Sequence, residues 1–332
     1  MTDFNQIDRR FDRHLSAVLL LLLVSLAGSL FVSPVLAQKD DEVIKVETDL
    51  VTFEVTVTDK AGRPVKNLKQ EDFQILENGA ERRADFFEAI RKEGSGRPLS
   101  VVMALDVSGS MTAPELERLK TALGSFASRL ADYNSYFAVT TFAMNVSTVQ
   151  SFTNRREKLE SSISKLKRDR DGLSTHAYDA VDHGIRLLRN KGPKYSMNRL
   201  TKRAVVLITD GFPVGDIVAP ETVIERANDN ETSVYALILP SYSRIQQTKK
   251  PLLTPLEASG LIDRTGGKSF YATDNDFEPL FKALEDEITA SYAIAIYPEK
   301  EKGEANTFRT VRITSKDGLV VKQNRTGYTP PR

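Results

Sequence analysis

The chain of 332 residues contains no cysteine, which excludes structural zinc fingers, disulfide frameworks and cysteine nucleophiles. The absence leaves the compartment open, because an exported protein with a large core needs no disulfides. Histidine is almost as scarce, with only His14, His176 and His183. An excess of one charge is lacking too: Lys+Arg 46 against Asp+Glu 45 gives a formal +1, so nothing biases the whole chain toward nucleic acid or acidic lipid. What remains is an ordinary globular composition, 40% apolar and 27% charged, with a length that suggests about two domains.

The one long apolar run lies near the N-terminus. Arg9, Arg10 and Arg13 precede an apolar stretch that reaches Val32, and Val35 and Ala37 come just before polar text. A basic region, an apolar region and a small-residue cleavage site predict a secretory signal peptide over residues 1–37, with the mature chain starting at Gln38. The run is long enough for an uncleaved anchor to stand as an alternative. Gly28 and Pro34 favour cleavage, and with no Cys after the run a lipoprotein anchor is ruled out. The predicted location is secreted or periplasmic, with no membrane span after cleavage.

The rest is organised around residues 98–111. Residues 101–105 are an apolar run of the kind that forms a strand buried on both faces of a parallel sheet. It ends at Asp106, Ser108 and Ser110, three oxygen-bearing side chains at alternate positions. Open α/β sheets place ligands at the carboxyl ends of their strands. One carboxylate and two hydroxyls there suit a hard cation such as Mg²⁺, although Asp, Ser and Gly are also ordinary turn formers. A second buried-strand run, residues 204–209, again ends in a carboxylate, Asp210, and Thr175 opens a helical pattern between the two.

Text on either side has a different character. Residues 46–58 alternate with period two, as a half-buried strand does, and residues 73–76 and 82–90 read as strands around an Asn78-Gly79 hairpin turn. Residues 91–98 are a linker. The central segment then alternates strand and helix: helices over 114–131, 155–166, 177–188, 252–263 and 277–288, strands over 136–143, 204–209, 233–239 and 268–271, and an edge strand over 146–152. Residues 291–297, 307–314 and 319–323 are strands again. Because an isolated two- or three-stranded module is marginal, the strands of 46–90 and 291–323 are expected to share one β-domain.

Asp106-x-Ser-x-Ser110, then Thr175, then Asp210 closing a strand resembles the metal-ion-dependent adhesion site of von Willebrand factor A-type domains. The Thr175-x-x-Tyr-Asp-Ala spacing and the Ile208-Thr-Asp-Gly211 ending are similar to that family as well. Glu71-Asp-Phe73, Glu77-Asn-Gly79, Thr265-Gly-Gly267 and Gly327-Tyr328 resemble secreted acidobacterial proteins that carry such a domain. The resemblance implies a metal site of Asp106, Ser108, Ser110, Thr175 and Asp210. In it the serines bind the ion directly, Thr175 binds directly or through water, and the aspartates act partly through waters. Hydroxyl-rich six-coordination favours Mg²⁺ or Mn²⁺ over Ca²⁺, and two carboxylates leave the ion able to recruit an acidic side chain from a protein partner.

Competing readings fit less well. An aspartyl phosphatase would want an acid two residues after its nucleophile, where Ser108 stands. A serine-hydrolase elbow requires Gly-x-Ser-x-Gly, and Leu105, Val107, Gly109 and Met111 surround the serines instead. Gly267-Lys268-Ser269 lacks the first glycine of a phosphate loop, Ile262 standing in its place. His176, Asp179 and His183 share a helix face, which admits a transition-metal site but suits a solvated surface better. Thr175 or Ser174 as a helix cap, and Asp210 with Gly211 as a turn, remain the plain alternatives for those residues. The sequence therefore predicts an α/β, doubly wound, mostly parallel sheet over residues 98–290. A small β-sandwich-like domain is built from segments 38–97 and 291–332. The predicted function is non-enzymatic, metal-dependent protein binding in adhesion or assembly, without nucleic acid. The alternatives are a metal-independent structural component or a hydrolase using the same oxygens.

Overall fold

The computed structural model describes residues 50–91, 97–109, 112–169, 174–196, 199–239, 253–272, 277–298 and 307–330. The signal peptide and its cleavage point, most of the 91–98 linker and Ser110 lie outside the described residues.

In chain order the elements are β1 (Val51–Thr58), β2 (Phe73–Glu77), β3 (Ala80–Arg82), β4 (Phe86–Ala89), β5 (Leu99–Asp106), α1 (Ala113–Ala131), β6 (Tyr136–Phe142) and β7 (Val146–Thr153). There follow α2 (Arg156–Ser164), α3 (Ala177–Lys191), the short hairpin β8 (Tyr195–Ser196) and β9 (Arg199–Leu200), β10 (Lys202–Thr209), α4 (Pro220–Asp229) and β11 (Thr232–Ile238). The chain closes with α5 (Pro255–Ala258), α6 (Leu261–Arg264), β12 (Ser269–Tyr271), α7 (Glu278–Thr289), β13 (Ser291–Ile296), β14 (Arg309–Ser315), β15 (Val320–Gln323) and β16 (Gly327–Tyr328).

The central sheet runs β12-β11-β10-β5-β6-β7, parallel throughout except for β7, which pairs antiparallel with β6 at the edge. Its strands alternate strictly between two apolar layers. In β5, Leu99, Val101, Met103 and Leu105 face the layer formed with α1, α2 and α7, while Val102 and Ala104 face α3 and α4. Burying each of the Leu, Val and Met side chains among these stabilises by about 1.5–3 kcal/mol. α1 lies on the sheet through Leu116, Leu119, Leu123, Phe126 and Leu130, the face that its sequence periodicity marks. Thr112 caps it, with Glu115 completing the reciprocal box.

The outer segments pair with each other, as expected. β1 runs antiparallel to β13, from Val51↔Ile296 to Thr56↔Ser291, and β14 pairs with β2. The result is two sheets, β15-β1-β13-β4 and β16-β14-β2-β3, enclosing Phe53, Val55, Val57, Ile75, Tyr292, Ile294, Val311 and Ile313. The Asn78-Gly79 turn between β2 and β3 has both residues at positive φ, 49° and 85°, which suits the twist of a two-residue hairpin.

Two local expectations are corrected. The helix expected over 252–263 is two single turns, α5 and α6, because Gly260 takes a left-handed φ of 75° between them. β1 is not half-buried: Thr52, Glu54 and Thr56 are as covered as the apolar residues between them, so its second face is buried too. Among the described residues no helix is long and apolar enough to cross a membrane.

Candidate metal centre

From β5 the chain proceeds to β6 on one side, while β10 leads to β11 and β12 on the other. The order therefore reverses between β5 and β10, and the carboxyl ends of strands at such a reversal are where open α/β sheets bind their ligands. The register Ile208↔Leu105 sets Thr209 beside Asp106 and brings Asp210 out at the adjoining strand end.

Asp106 is 3% exposed, and its oxygens are already engaged. Oδ1 accepts the Ser108 N–H at 2.9 Å and Oδ2 accepts the Thr209 hydroxyl at 2.9 Å. The Ser108 hydroxyl also bonds to this carboxylate. Burial pushes the Asp106 carboxyl above the usual range; the hydrogen bonds of Ser108 and Thr209 oppose that, and the charge of Asp210 adds to it. Asp210 Oδ1 accepts the Phe212 N–H at 3.1 Å, which folds the following loop back on itself.

Two partners brace the loop after β5 from behind. The Val107 carbonyl accepts the Asp169 N–H at 2.7 Å, and the Gly109 carbonyl accepts Arg168 Nη2 at 2.9 Å. The carbonyls of 107 and 109 are thus held by the segment before α3, and they alternate with the oxygen-bearing residues 106 and 108.

Thr175, 9% exposed, does not open the helix as expected; α3 begins at Ala177 with His176 as its cap residue. Thr175 instead forms an antiparallel bridge with Val214, its N–H donating at 3.1 Å and its carbonyl accepting at 3.0 Å. Since Val214 belongs to the loop that Asp210 begins, the bridge joins the Thr175 segment to the Asp210 segment. The structure thus brings Asp106 and Ser108 at the end of β5 next to Asp210 at the end of β10, and ties Thr175 to the Asp210 loop. Ser110 lies outside the described residues.

Asp216 was not read from the sequence as part of this region, and Asp179 entered only through the Thr175-x-x-Tyr-Asp-Ala spacing and the histidine face. Asp216 Oδ1 accepts the Asp179 N–H at 2.9 Å, capping α3 from another loop, while Asp179 accepts the N–H groups of Ile217 and Val218 at 3.1 and 2.8 Å. Such reciprocal capping across 37 positions leaves no local sequence signal. The histidine face has other partners: His176 Nδ1 lies 3.1 Å from Asp179 Oδ2, and His183 Nε2 lies 2.8 Å from Thr148 Oγ1. Among the described residues no three His, Asp or Glu side chains are grouped to hold a metal ion. A cation at the β5–β10 strand ends would depend on two carboxylates supplemented by hydroxyls. This hard oxygen set fits Mg²⁺ or Mn²⁺.

The family model for the von Willebrand factor type A domain matches residues 100–286. An aerotolerance-related membrane protein from Bacteroides fragilis is 18% identical, with 57% of this chain and 98% of that one covered and a TM-score of 0.43. BatB from Bacteroides thetaiotaomicron is 19% identical, covers 57% and 97%, and has a TM-score of 0.42. Proximal thread matrix protein 1 from the mussel byssus, solved with a zinc-occupied MIDAS motif, is 14% identical, covers 62% and 48%, and has a TM-score of 0.45. No curated protein matches the chain.

Proposed function

For a chain that belongs to the von Willebrand factor type A domain family, we propose the role of an exported, metal-dependent protein-binding module in adhesion or assembly. The observation that carries this reading is the placement of Asp106, Ser108 and Asp210 at the carboxyl ends of two adjacent strands, where the strand order reverses. Ser108, Ser110 and Thr175 would offer hydroxyls to Mg²⁺ or Mn²⁺, and Asp106 and Asp210 would offer charge. Bound there, the ion would supply an electron-poor position for a carboxylate of a partner protein. Asp106 acts mainly as an orienting group, since its two oxygens already hold Ser108 and Thr209.

The same reading takes residues 1–37 as the export signal and residues 98–290 as the binding domain, carried on a sandwich built from 38–97 and 291–332. The neighbouring hydroxyls orient Asp106, while the two described histidines are engaged elsewhere, His176 with Asp179 and His183 with Thr148. These features support binding over turnover.

The test is a calorimetric and thermal-shift titration with Mg²⁺ and Mn²⁺ on the native chain and on Asp106→Ala. Saturable binding that raises the melting temperature of the native chain alone is the expected result. Equal behaviour of the two proteins would leave a metal-indifferent scaffold. Turnover of a phosphomonoester or ester panel that vanishes in Asp106→Ala would instead make these strand ends an active site. An affinity pull-down with and without chelator then identifies the partner.

A further inference from the structure

Two clefts lie between helices on opposite faces of the central sheet, and they treat their cations differently. The cleft between α1 and α2, about 630 Å³, is lined by Lys120, Arg129 and Arg156. Each of these has an acid of its own: Glu117 at 2.8 Å, Glu285 at 2.7 Å and Glu160 at 2.6 Å. The cleft between the C-terminal halves of α3 and α4, about 230 Å³, is lined by Ile185, Arg186, Arg189, Arg226 and Asn230, with no acid in its wall. The buried Asp182 meets Arg226 Nη1 with Oδ1 at 2.6 Å and Arg186 Nε with Oδ2 at 2.8 Å. One carboxylate thus serves two guanidinium groups. Arg189 bonds to the Asn190 side chain at 3.3 Å, and no acid among the described residues pairs with it.

Cations in a last helical turn are ordinary, because they complement the negative end of the helix dipole. An Asp182–Arg226 pair by itself is a clasp joining two helices. Such a clasp does not explain the excess: three guanidinium groups line the cleft and one carboxylate answers them, which leaves two positive charges over. A fourth arginine adjoins it. Arg203, 8% exposed, donates from Nη1 to the Asn230 carbonyl at 3.4 Å, and its buried Nε has no hydrogen-bond partner among the described residues. Glu231 faces Arg203 and offsets that fourth charge, so the surplus of two stands. Like charges gathered in one cleft repel unless an anion joins them. Because Asp182 already holds Arg186 and Arg226, their remaining N–H donors are set for a ligand at little further ordering cost.

We propose that the α3–α4 cleft binds a tetrahedral dianion, the phosphate or sulfate group of a small molecule. The two surplus charges match such a group. The planar forks of three arginines also present more N–H donors than the two oxygens of a carboxylate can take up, whereas a tetrahedral oxyanion offers an edge to each. The volume exceeds what the anionic head needs, since a water molecule takes up about 30 Å³ in the liquid. Ile185 and the Asn230 side chain therefore leave room for a short carbon chain esterified to the head. The inference does not rest on the metal reading: α3 starts beside Thr175, and the cleft belongs to its other half.

The experiment is titration calorimetry on the purified full chain in EDTA, at about pH 7.5 so that a phosphate monoester is a dianion. The probes are inorganic phosphate, inorganic sulfate, glycerol phosphate and, as the planar control, acetate. They are titrated into the native chain, Arg189→Gln, Arg226→Gln and Arg156→Gln, the last altering the α1–α2 cleft. The expected result is saturable binding of at least one tetrahedral probe, with acetate about tenfold weaker or worse. Loss of a charge-assisted contact should lower that affinity about tenfold in Arg189→Gln and leave it unchanged in Arg156→Gln. Arg226→Gln should bind as weakly, but it also opens the Asp182 clasp, so Arg189→Gln, which breaks no ion pair with a described residue, decides the matter. Tighter binding of glycerol phosphate makes the ligand an ester, and a preference for either inorganic ion makes it that ion. No saturable binding of any tetrahedral probe would overturn the site. So would acetate binding as tightly as they do, or an affinity that Arg189→Gln leaves intact or Arg156→Gln lowers equally.

Discussion

The two ends of the central sheet treat buried acid in opposite ways. At the amino ends of β5 and β10, Glu54 reaches in from β1 and meets Arg97 at 2.6 Å and Lys202 at 3.0 Å, all three side chains at most 2% exposed. Lys202 also donates to the Ser233 hydroxyl at 2.7 Å, and Arg97 to the carbonyls of Leu200 and Thr201. Burial alone would raise the Glu54 carboxyl, but the two cations outweigh it and hold it below the usual range. At the carboxyl ends Asp106 is equally buried, yet its partners are an amide and hydroxyls, and the neighbouring charge is the like charge of Asp210. Its carboxyl is accordingly shifted up. The depth of an acid therefore does not separate structure from function in this molecule. The source of the compensating charge does: it is internal at the sandwich end and, among the described residues, absent from the hydrogen-bond partners of Asp106 at the other end.

That contrast can be broken by substitution. The largest effect is expected from Glu54→Gln, which strands two buried cations and should destabilise by about 3–5 kcal/mol in denaturant unfolding, with Mn²⁺ affinity unchanged in whatever fraction folds. Next comes Asp106→Ala. If the native chain gains about 2.7 kcal/mol at a metal concentration one hundred times its dissociation constant, this variant should gain nothing under the same conditions. Metal-induced stabilisation of equal size in both proteins would erase the distinction between the two ends.

Acid provides a milder probe. The folded pKa of Glu54 lies below its ordinary 4.5, so its contribution is complete above that value and is lost as pH falls through the folded pKa. Native protein should therefore lose stability more steeply than Glu54→Gln as pH is lowered below about 4.5, measured by urea midpoints along a pH series. The smallest effect is expected from Thr209→Val, which removes one hydrogen bond to Asp106 Oδ2 and should cost about 0.5–1.5 kcal/mol, read as weaker Mn²⁺ binding or a lower melting temperature.

The central sheet was legible because its strands are buried on both faces and its helices on one, so apolar runs and 3.6-residue stripes stand out in turn. The Asn78-Gly79 turn was legible because its backbone conformation nearly dictates its residues. Glu54 was not. In an alternating strand a polar residue reads as solvent-facing, and only the packing of β1 against the base of the sheet, with Arg97 and Lys202 arriving from distant positions, reverses that. The break at Gly260 was hidden for another reason, since one glycine in an apolar helical pattern is often tolerated.

Some resembled motifs turned out to brace the scaffold. Thr265 accepts the Val234 N–H at 3.1 Å and donates to the Leu261 carbonyl at 2.9 Å, and the Tyr328 hydroxyl donates to the buried Glu77. At the metal centre, the sequence located the strand ends but not the loop-to-helix capping by Asp179 and Asp216. That arrangement joins side chain to backbone across loops and has no period.

The pairing of β1 with β13 also sets an order of assembly. Some 240 positions separate Val51 from the strand it pairs with, so the first strand leaves the ribosome long before its partner is made. Until then its apolar face has no sheet to join, and an unpaired edge of that kind is a hazard for intermolecular pairing. The A-type domain, complete by Thr289, can close on its own local contacts first. α7 passes into β13 with only Ala290 between them, so the finished domain hands β13 directly to the waiting β1. Closure of the sandwich therefore waits on the last-made strands, and the inserted domain is the one part of the chain that has all its residues before then.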